Sequence, residues 1–243
     1  MPAASIRARV RAEMTAEIKA VARRHLETEG ANLSLRAVAR DMGMVSSAVY
    51  RYFASRDELL TALILDAYNA LGETVEAADA AVTSRGRLRE RWLAAARAIR
   101  GWALASPAEY ALLYGSPVPG YAAPQDTIAA ATRTAAVLVR ILADGYESGV
   151  LAAPEISLRR PVRADLALAR DAIAPGLPEE LMLAGMTGWI QLFGTVSFEL
   201  FGQFNNVIEA RAEFFDQQME LMADLMGLPG APGRRSRHGG TVA

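Results

Sequence analysis

Guanidinium, hydroxyl and phenol groups gather in one short span of this sequence. Arg36, Ser46, Ser47, Tyr50 and Arg51 fall within sixteen positions, with Ser34 just before them and Tyr52 and Arg56 just after. Hydroxyls and main-chain N–H groups at a helix start donate well to phosphate and discriminate bases weakly, whereas a long arginine can read guanine bidentately in the major groove. Arg36 and Arg51 are therefore the residues expected to discriminate sequence, and the small Ala48 would let bases approach. For either Tyr50 or Tyr52 alone, packing within the protein is as good a reading as an outward role. Other chemistries have little to work with. The chain has no Cys, so a thiol nucleophile, a Cys zinc site and a disulfide are excluded. Its two His, one at position 25 and the other near the C-terminus, leave little for a triad or a metal cluster. No close carboxylate pair stands out among the acids, so neither an enzyme nor a cofactor is expected.

To present such groups together, Leu35 to Phe53 (LRAVARDMGMVSSAVYRYF) must fold as two short helices around a glycine turn. A helix-turn-helix needs a small residue where its helices touch, a glycine at the turn and apolar residues below. Ala39, Gly43 and Val49 fill the first roles; Val38, Met42, Val45 and Phe53 are expected to form the underside, with Leu35 at the entry. Ser34 should start the first short helix, to Met42, and Ser46 the second, through Phe53. Ahead of them, Ile6, Val10, Met14, Ile18, Val21, Ala22 and Leu26 form one stripe of a helix that Gly30 ends. Behind them, Ser55 and Glu58 make a capping box for a long helix bearing Leu59, Leu60, Leu63, Ile64, Ala67 and Leu71.

The segment resembles the DNA-binding head of the TetR/AcrR family of transcriptional regulators. The family pattern V-S-x-x-x-[LV]-Y-x-[HY]-F is matched in its second half by Val49-Tyr50-Arg51-Tyr52-Phe53, with Val45-Ser46-Ser47-Ala48 before it one residue shorter than the pattern's V-S-x-x-x, and is followed by Ser55-Arg56-Asp57-Glu58-Leu59. Arg56 stands where the family usually has Lys, which keeps the charge. The resemblance implies that Arg36, Ser46, Ser47, Ala48 and Tyr50 face bases or nearby backbone, while Ser34, Tyr52 and Arg56 hold phosphates.

Composition agrees with an all-α fold. Of 243 residues 48 are Ala, the best helix former, and the 52% apolar fraction is inflated by them. Net charge is only −1, but residues 1 to 60 hold 10 basic against 7 acidic groups and residues 61 to 228 hold 13 against 20. A basic head on an acidic trunk suits a protein that meets a polyanion at one end. The charged N-terminus does not look like a secretion signal, so a cytoplasmic location is expected.

The expected organisation is a head at 1–54, a larger helical bundle at 55–228 for effector binding and dimerisation, and a disordered tail at 229–243. Helices are expected over Arg85 to Ala105, Pro107 to Leu113, Gln125 to Ser148, Val162 to Ile173, Pro178 to Phe204 and Glu209 to Met226. Gly115 to Pro124 should be a shaped loop over the body. Leu181 to Phe204 is apolar, but Gln191, Thr195, Ser197 and Glu199 interrupt the run a membrane span needs, so no membrane association is expected. One such head normally acts as a dimer on a near-palindromic double-stranded site. By analogy with the family, a homodimer is expected through the last two helices, with Gly185, Gly188 and Gly194 allowing close approach and Phe215, Met219, Met222 and Met226 as a stripe. A small, hydrophobic effector is expected among Trp102, Tyr110, Tyr114, Tyr146, Trp189 and Phe193. The blocks around Trp102 and Trp189 resemble a WHG-like C-terminal class of the family. Repression is the commoner family role. The alternative is a helical small-molecule-binding protein without DNA-binding activity.

Overall fold

The computed structural model describes residues 3–30 and 32–230. The tail expected to be disordered falls outside the described residues from position 231 onward. Among the described residues every regular element is a helix: α1 (Ala3–Glu29), α2 (Leu35–Asp41), α3 (Ser46–Val49), α4 (Arg56–Ala81), α5 (Leu88–Ala105), α6 (Pro107–Tyr114), α7 (Thr127–Glu147), α8 (Arg160–Ile173), α9 (Glu179–Leu200) and α10 (Arg211–Leu225). The described residues fall into two compact units, divided after positions 74, 99 and 133: the first and third stretches make one unit, the second and fourth the other.

The first unit is built on the later part of the stripe expected of α1, from Met14 onward, whereas Ile6 and Val10 are exposed. Ile18, Val21, Ala22 and Leu26 are buried with Leu35, Val38 and Ala39 of α2, Val49 of α3, and Leu59, Leu60 and Leu63 of α4. Burying a Leu or Ile side chain stabilises by about 1.5–3 kcal/mol, so this cluster is what holds the short α2 and α3 in place. Lys19 and Arg23 on α1 both pair with Asp66 on α4, at 2.7 and 2.5 Å. The loop over 115–124 differs from expectation: Val118 and Tyr121 pack on this head core, and the Tyr121 hydroxyl lies 2.9 Å from Thr61 Oγ1. The apolar content of that loop decides its place.

In the second unit α9 runs through the packing. Leu181, Met182, Ala184, Gly188, Leu192, Phe193 and Val196 are buried, as are Phe215, Met219 and Ala223 of α10. Helix α9 ends four residues earlier than expected. Gly202 adopts φ 79°, its N–H donates to Glu199 O and that of Gln203 to Phe198 O, which is a Schellman stop. Among the described residues α9 is the one helix long and apolar enough to cross a membrane. The four polar residues do not disqualify it by composition, contrary to expectation; what marks it as a packed helix is its one-sided burial, with Thr195 and Glu199 themselves buried.

The glycines and methionines expected at a partner surface serve mainly the unit's own core. A Cβ on Gly185 would stand 2.6 Å from Leu142 Cδ1, and one on Gly188 3.2 Å from the Met226 sulfur. Phe215, Met219 and Met226 are buried. Gly194 alone of the three has open space in front of it.

Candidate nucleic-acid interface

The turn between α2 and α3 explains how the outward face is made. Ser34 caps α2, its hydroxyl accepting from Ala37 N at 3.4 Å. Gly43 closes the helix at φ 64°, a left-handed conformation that costs any side chain, and the N–H of Met44 donates to Ala39 O at 2.9 Å. In this motif the residue after the glycine turns inward, and Met44 packs on the core. Val45 is thereby rotated out and is 71% exposed, so the expectation that it forms the underside fails. Its isopropyl group stands instead at the start of α3, open to apolar contact such as a thymine methyl offers.

Val45, rather than Ser46, is the cap position of α3, and it makes no side-chain cap bond. The α-helix is also shorter than expected. Beyond Val49 the N–H groups of Arg51 and Tyr52 donate to Ala48 O and Val49 O, the tighter three-residue spacing, before Phe53 N returns to Val49 O. Val49 is fully buried, so α3 is pinned along one side, and Ser47, Tyr50 and Arg51 are exposed while Ser46 and Ala48 are half-buried. Arg36 and Ser34, on and before α2, are exposed too. Neither Arg36 nor Arg51 has a carboxylate partner among the described residues.

The two tyrosines part company. Tyr50 is 44% exposed, whereas Tyr52 packs against the head core with the Arg11 guanidinium 5.2 Å from its ring centroid. Arg56 is half-buried beside Asp57 at 3.9 Å, at the start of α4. The α4 start carries the expected capping box in a slightly extended form: Glu58 N donates to Ser55 Oγ at 3.1 Å, and Glu58 Oε2 accepts from Ala54 N at 2.5 Å. Together these residues form an outward edge of hydroxyls, a phenol and arginines on buried backing, the arrangement that base and phosphate contacts need.

The six aromatics expected to line an effector site are divided between the two units. Trp102, Tyr110 and Tyr114 belong to the first unit, where the Tyr110 and Tyr114 rings meet at a 42° tilt with centroids 5.1 Å apart and Tyr68 meets Tyr114 edge-on at 6.3 Å. Burial, and then the neighbouring phenols of Tyr68 and Tyr110, push the Tyr114 hydroxyl well above its ordinary pKa. Tyr146, Trp189 and Phe193 belong to the second unit; Tyr146 is exposed, and Trp189 packs on Phe193 at a 34° tilt with ring centroids 4.5 Å apart. A cavity of about 160 Å³ does lie within the second unit, and of the six only Trp189 lines it, together with Trp92, Leu138, Ile141, Leu142 and Met182 among others. Every lining side chain is aliphatic, a thioether or an indole, and the Trp92 N–H is spent on Met219 O at 2.9 Å. Sequence reasoning missed this lining because its members come from α5, α7, α8, α9 and the end of α10.

A buried ion network, also unforeseen, sits near that cavity's helices in the same unit. Arg91 on α5 is fully buried and donates to Asp79 at 2.7 Å and to Asp144 at 2.7 Å, while Arg85 also holds Asp79. Burial raises the Asp79 pKa, but the hydrogen bonds from Arg91 and Arg85 outweigh it and hold the carboxyl below its ordinary range. The signal was present: Arg91 lies three residues after Leu88 and four before Ala95, on the buried stripe of α5.

Comparison with known proteins converges. Residues 18–63 match the family model for bacterial regulatory proteins of the tetR family, and residues 92–222 match the model for a tetracyclin repressor-like C-terminal domain. The chain is 39% identical over 223 residues to the HTH-type transcriptional regulator Rv1816 of Mycobacterium tuberculosis, covering 89% of this chain and 93% of that one. A crystal structure of the regulatory protein SCO4313 superposes with a TM-score of 0.74 at 35% identity, over 90% of this chain and 98% of its own. The structure of the TetR family regulator PfmR from Thermus thermophilus shares the fold, with a TM-score of 0.54 at 20% identity over 84% and 96% of the two chains.

Proposed function

The chain belongs to the TetR family of bacterial transcriptional regulators, and from that premise we propose that it is a repressor, binding a near-palindromic operator as a homodimer until a compact apolar effector releases it. The family is one of regulators that bind DNA through this head and are generally not enzymes. One observation carries the reading of the head: Arg36, Ser47, Tyr50 and Arg51 all stand exposed over a buried backing of Ala39 and Val49. Arg36 and Arg51 read base edges; Ser34, Ser46, Ser47 and Arg56 hold phosphates. Tyr52 serves by bracing the end of α3. That role places the protein in the cytoplasm, with the DNA it controls.

Dimerisation rests on a different surface from the one the glycine count suggested. Met186, Ile190, Phe198 and Phe201 are 43%, 64%, 54% and 47% exposed, and with Gly194 they form a single stripe along α9 and its C-cap residue. Leu221 and Leu225 add an exposed pair on α10. Such a strip, with a glycine in the middle for close approach, suits an isologous contact with a second copy.

The effector class follows from the cavity. About 160 Å³ is close to the size of an engineered apolar cavity that takes up benzene, so the occupant is one ring or a similarly compact hydrocarbon skeleton. No lining group could neutralise a charge. Binding to one of two states shifts the balance between DNA-competent and DNA-released protein.

Selection of bound sequences from random duplex DNA tests the whole reading. A palindromic site with salt-dependent affinity is expected; binding that ignores both sequence and salt would sink it. For the effector, toluene and related uncharged monocyclic aromatics should change the Trp92 and Trp189 fluorescence and lower affinity for the selected duplex. A thermal shift with toluene and no change in DNA affinity would support a small-molecule binder instead.

A further inference from the structure

Helix α1 begins well before the head core does. Residues 6–13 are all exposed, and Met14 is the first residue of α1 that packs on the cluster. That leaves more than two helical turns projecting from the core, and they carry Arg7, Arg9 and Arg11 against a single acid, Glu13.

The helix period sorts these arginines onto opposite faces. Counting back from the buried Ile18, Arg11 is seven residues away and Arg7 eleven, which puts each within about 20° of Ile18 around the axis. Arg9 is nine residues away, about 180° round. The core-facing stripe of α1 therefore continues past the edge of the core as arginine. Where that stripe leads is fixed by Arg11, whose guanidinium donates to Arg51 O at 3.1 Å and lies over the Tyr52 ring. It thus satisfies a carbonyl at the end of α3 that has no helical partner. Arg7 lies one turn further out on the same side, about 6 Å along the axis, close to two 3.4 Å base-pair steps. Arg7 has no ion-pair partner among the described residues, whereas Arg9 is 3.5 Å from Glu13 on the far face.

We propose that the projecting N-terminal turns of α1 are a second DNA-contacting element, in which Arg7 binds a backbone phosphate flanking the bases read by α3 and Arg11 positions the end of α3 beside it. The occupant is duplex DNA because Arg11 ties this face to the backbone of Arg51 at the end of α3, and its positive charge complements the phosphates flanking the bases that α3 reads. The contact is sequence-independent: it extends the footprint and the affinity without changing which bases are read. Its register follows from Arg11, which ties the arm to the reading helix.

The test uses the full chain and the duplex it selects from random DNA. Each phosphate contact adds about 0.9 to the slope of log affinity against log salt, so Arg7→Ala should lower that slope by about one per protomer and weaken binding roughly five-fold at physiological salt. Base preferences should stay as in the wild type, and Arg7→Lys should restore the slope. Arg9→Ala, the same charge change on the opposite face, should leave it unaltered. Unchanged far-UV circular dichroism of each variant shows that the helix is intact. Equal slopes for wild type and Arg7→Ala overturn the proposal, as does an equal loss in Arg7→Ala and Arg9→Ala, which would mean diffuse charge rather than a positioned contact. So does an unchanged slope accompanied by weaker binding to phosphatidylserine vesicles, which would assign the arm to a membrane surface. A wild-type chain without salt-dependent duplex binding would instead sink the DNA-binding reading of the head, and the arm with it.

Discussion

Arginine does opposite work in the head and in the trunk. In the head, Arg36 and Arg51 stand exposed, with no carboxylate partner among the described residues. In the second unit Arg91 is fully buried between Asp79 and Asp144, Arg89 is held by Glu220 and Asp224, and Arg97 meets Asp216 with two hydrogen bonds. The same side chain is an unspent donor fork in one place and a structural clamp in the other. Charge counts along the chain pointed to the head correctly, but the reason is pairing: an arginine whose donors are already satisfied offers nothing to a phosphate.

The contrast breaks most visibly at Arg91. Replacing it by Leu leaves Asp79 buried with only Arg85, and removing one partner of a buried pair costs about 3–5 kcal/mol. For a chain of this length that corresponds to a loss of about 10 °C in Tm, read by circular dichroism or calorimetry. Replacing Asp79 by Leu as well should recover part of the loss, because an uncharged, packed pair avoids the desolvation penalty. The head arginines should behave in reverse. Arg51→Ala and Arg36→Ala are expected to leave Tm unchanged while weakening binding to the selected duplex by about 1–3 kcal/mol and relaxing preference at one base pair each, measured by titration against a panel of single-base variants. A stability loss at Arg51 comparable to that at Arg91 would erase the distinction between the two regions.

The head was legible in the sequence because its decisive features are local. Ser34 caps, Gly43 turns and Ser55 with Glu58 opens α4, each through bonds that span only a few residues. Even its errors are local: the inward Met44, the outward Val45 that caps α3 in place of Ser46, and the early end of α3 all lie within a few residues of the left-handed Gly43, whose effect the 3.6-residue period does not contain. The trunk was less legible because its features are pairings between distant residues. Whether Gly185 faces a partner or Leu142, and whether Trp189 or Tyr110 lines a cavity, depends on which helices pack together, and no spacing within one helix records that. Arg91 could have been found, since a charge on the buried stripe of α5 demands partners, but nothing in α5 says that they are Asp79 and Asp144.

An intermediate case sharpens the comparison. Arg97 and Asp216 form a well-aligned pair, yet both side chains are about half exposed. Water screens such a pair, so Arg97→Ala should cost only about 0.2–1 kcal/mol in chemical denaturation, well below Arg91→Leu. Exposure, rather than the number of hydrogen bonds, then decides which trunk arginines matter.

The smallest effect is in the pH dependence. Asp79 is held below its ordinary carboxyl range in the folded protein, so in the window between its folded and unfolded values the unfolded chain binds more protons. The stability it contributes is fully present above the ordinary carboxyl value and is lost as pH falls through the folded one. Asp79→Asn cannot titrate and lacks that contribution at every pH. The gap in unfolding free energy between wild type and Asp79→Asn should therefore be constant from about pH 7 to pH 5 and close progressively below about pH 4. Urea denaturation across that range reads it directly. A gap that stayed constant down to acid pH would mean that Asp79 is not held ionised by Arg91 and Arg85, and that the clamp on the trunk side of the comparison works through packing rather than charge.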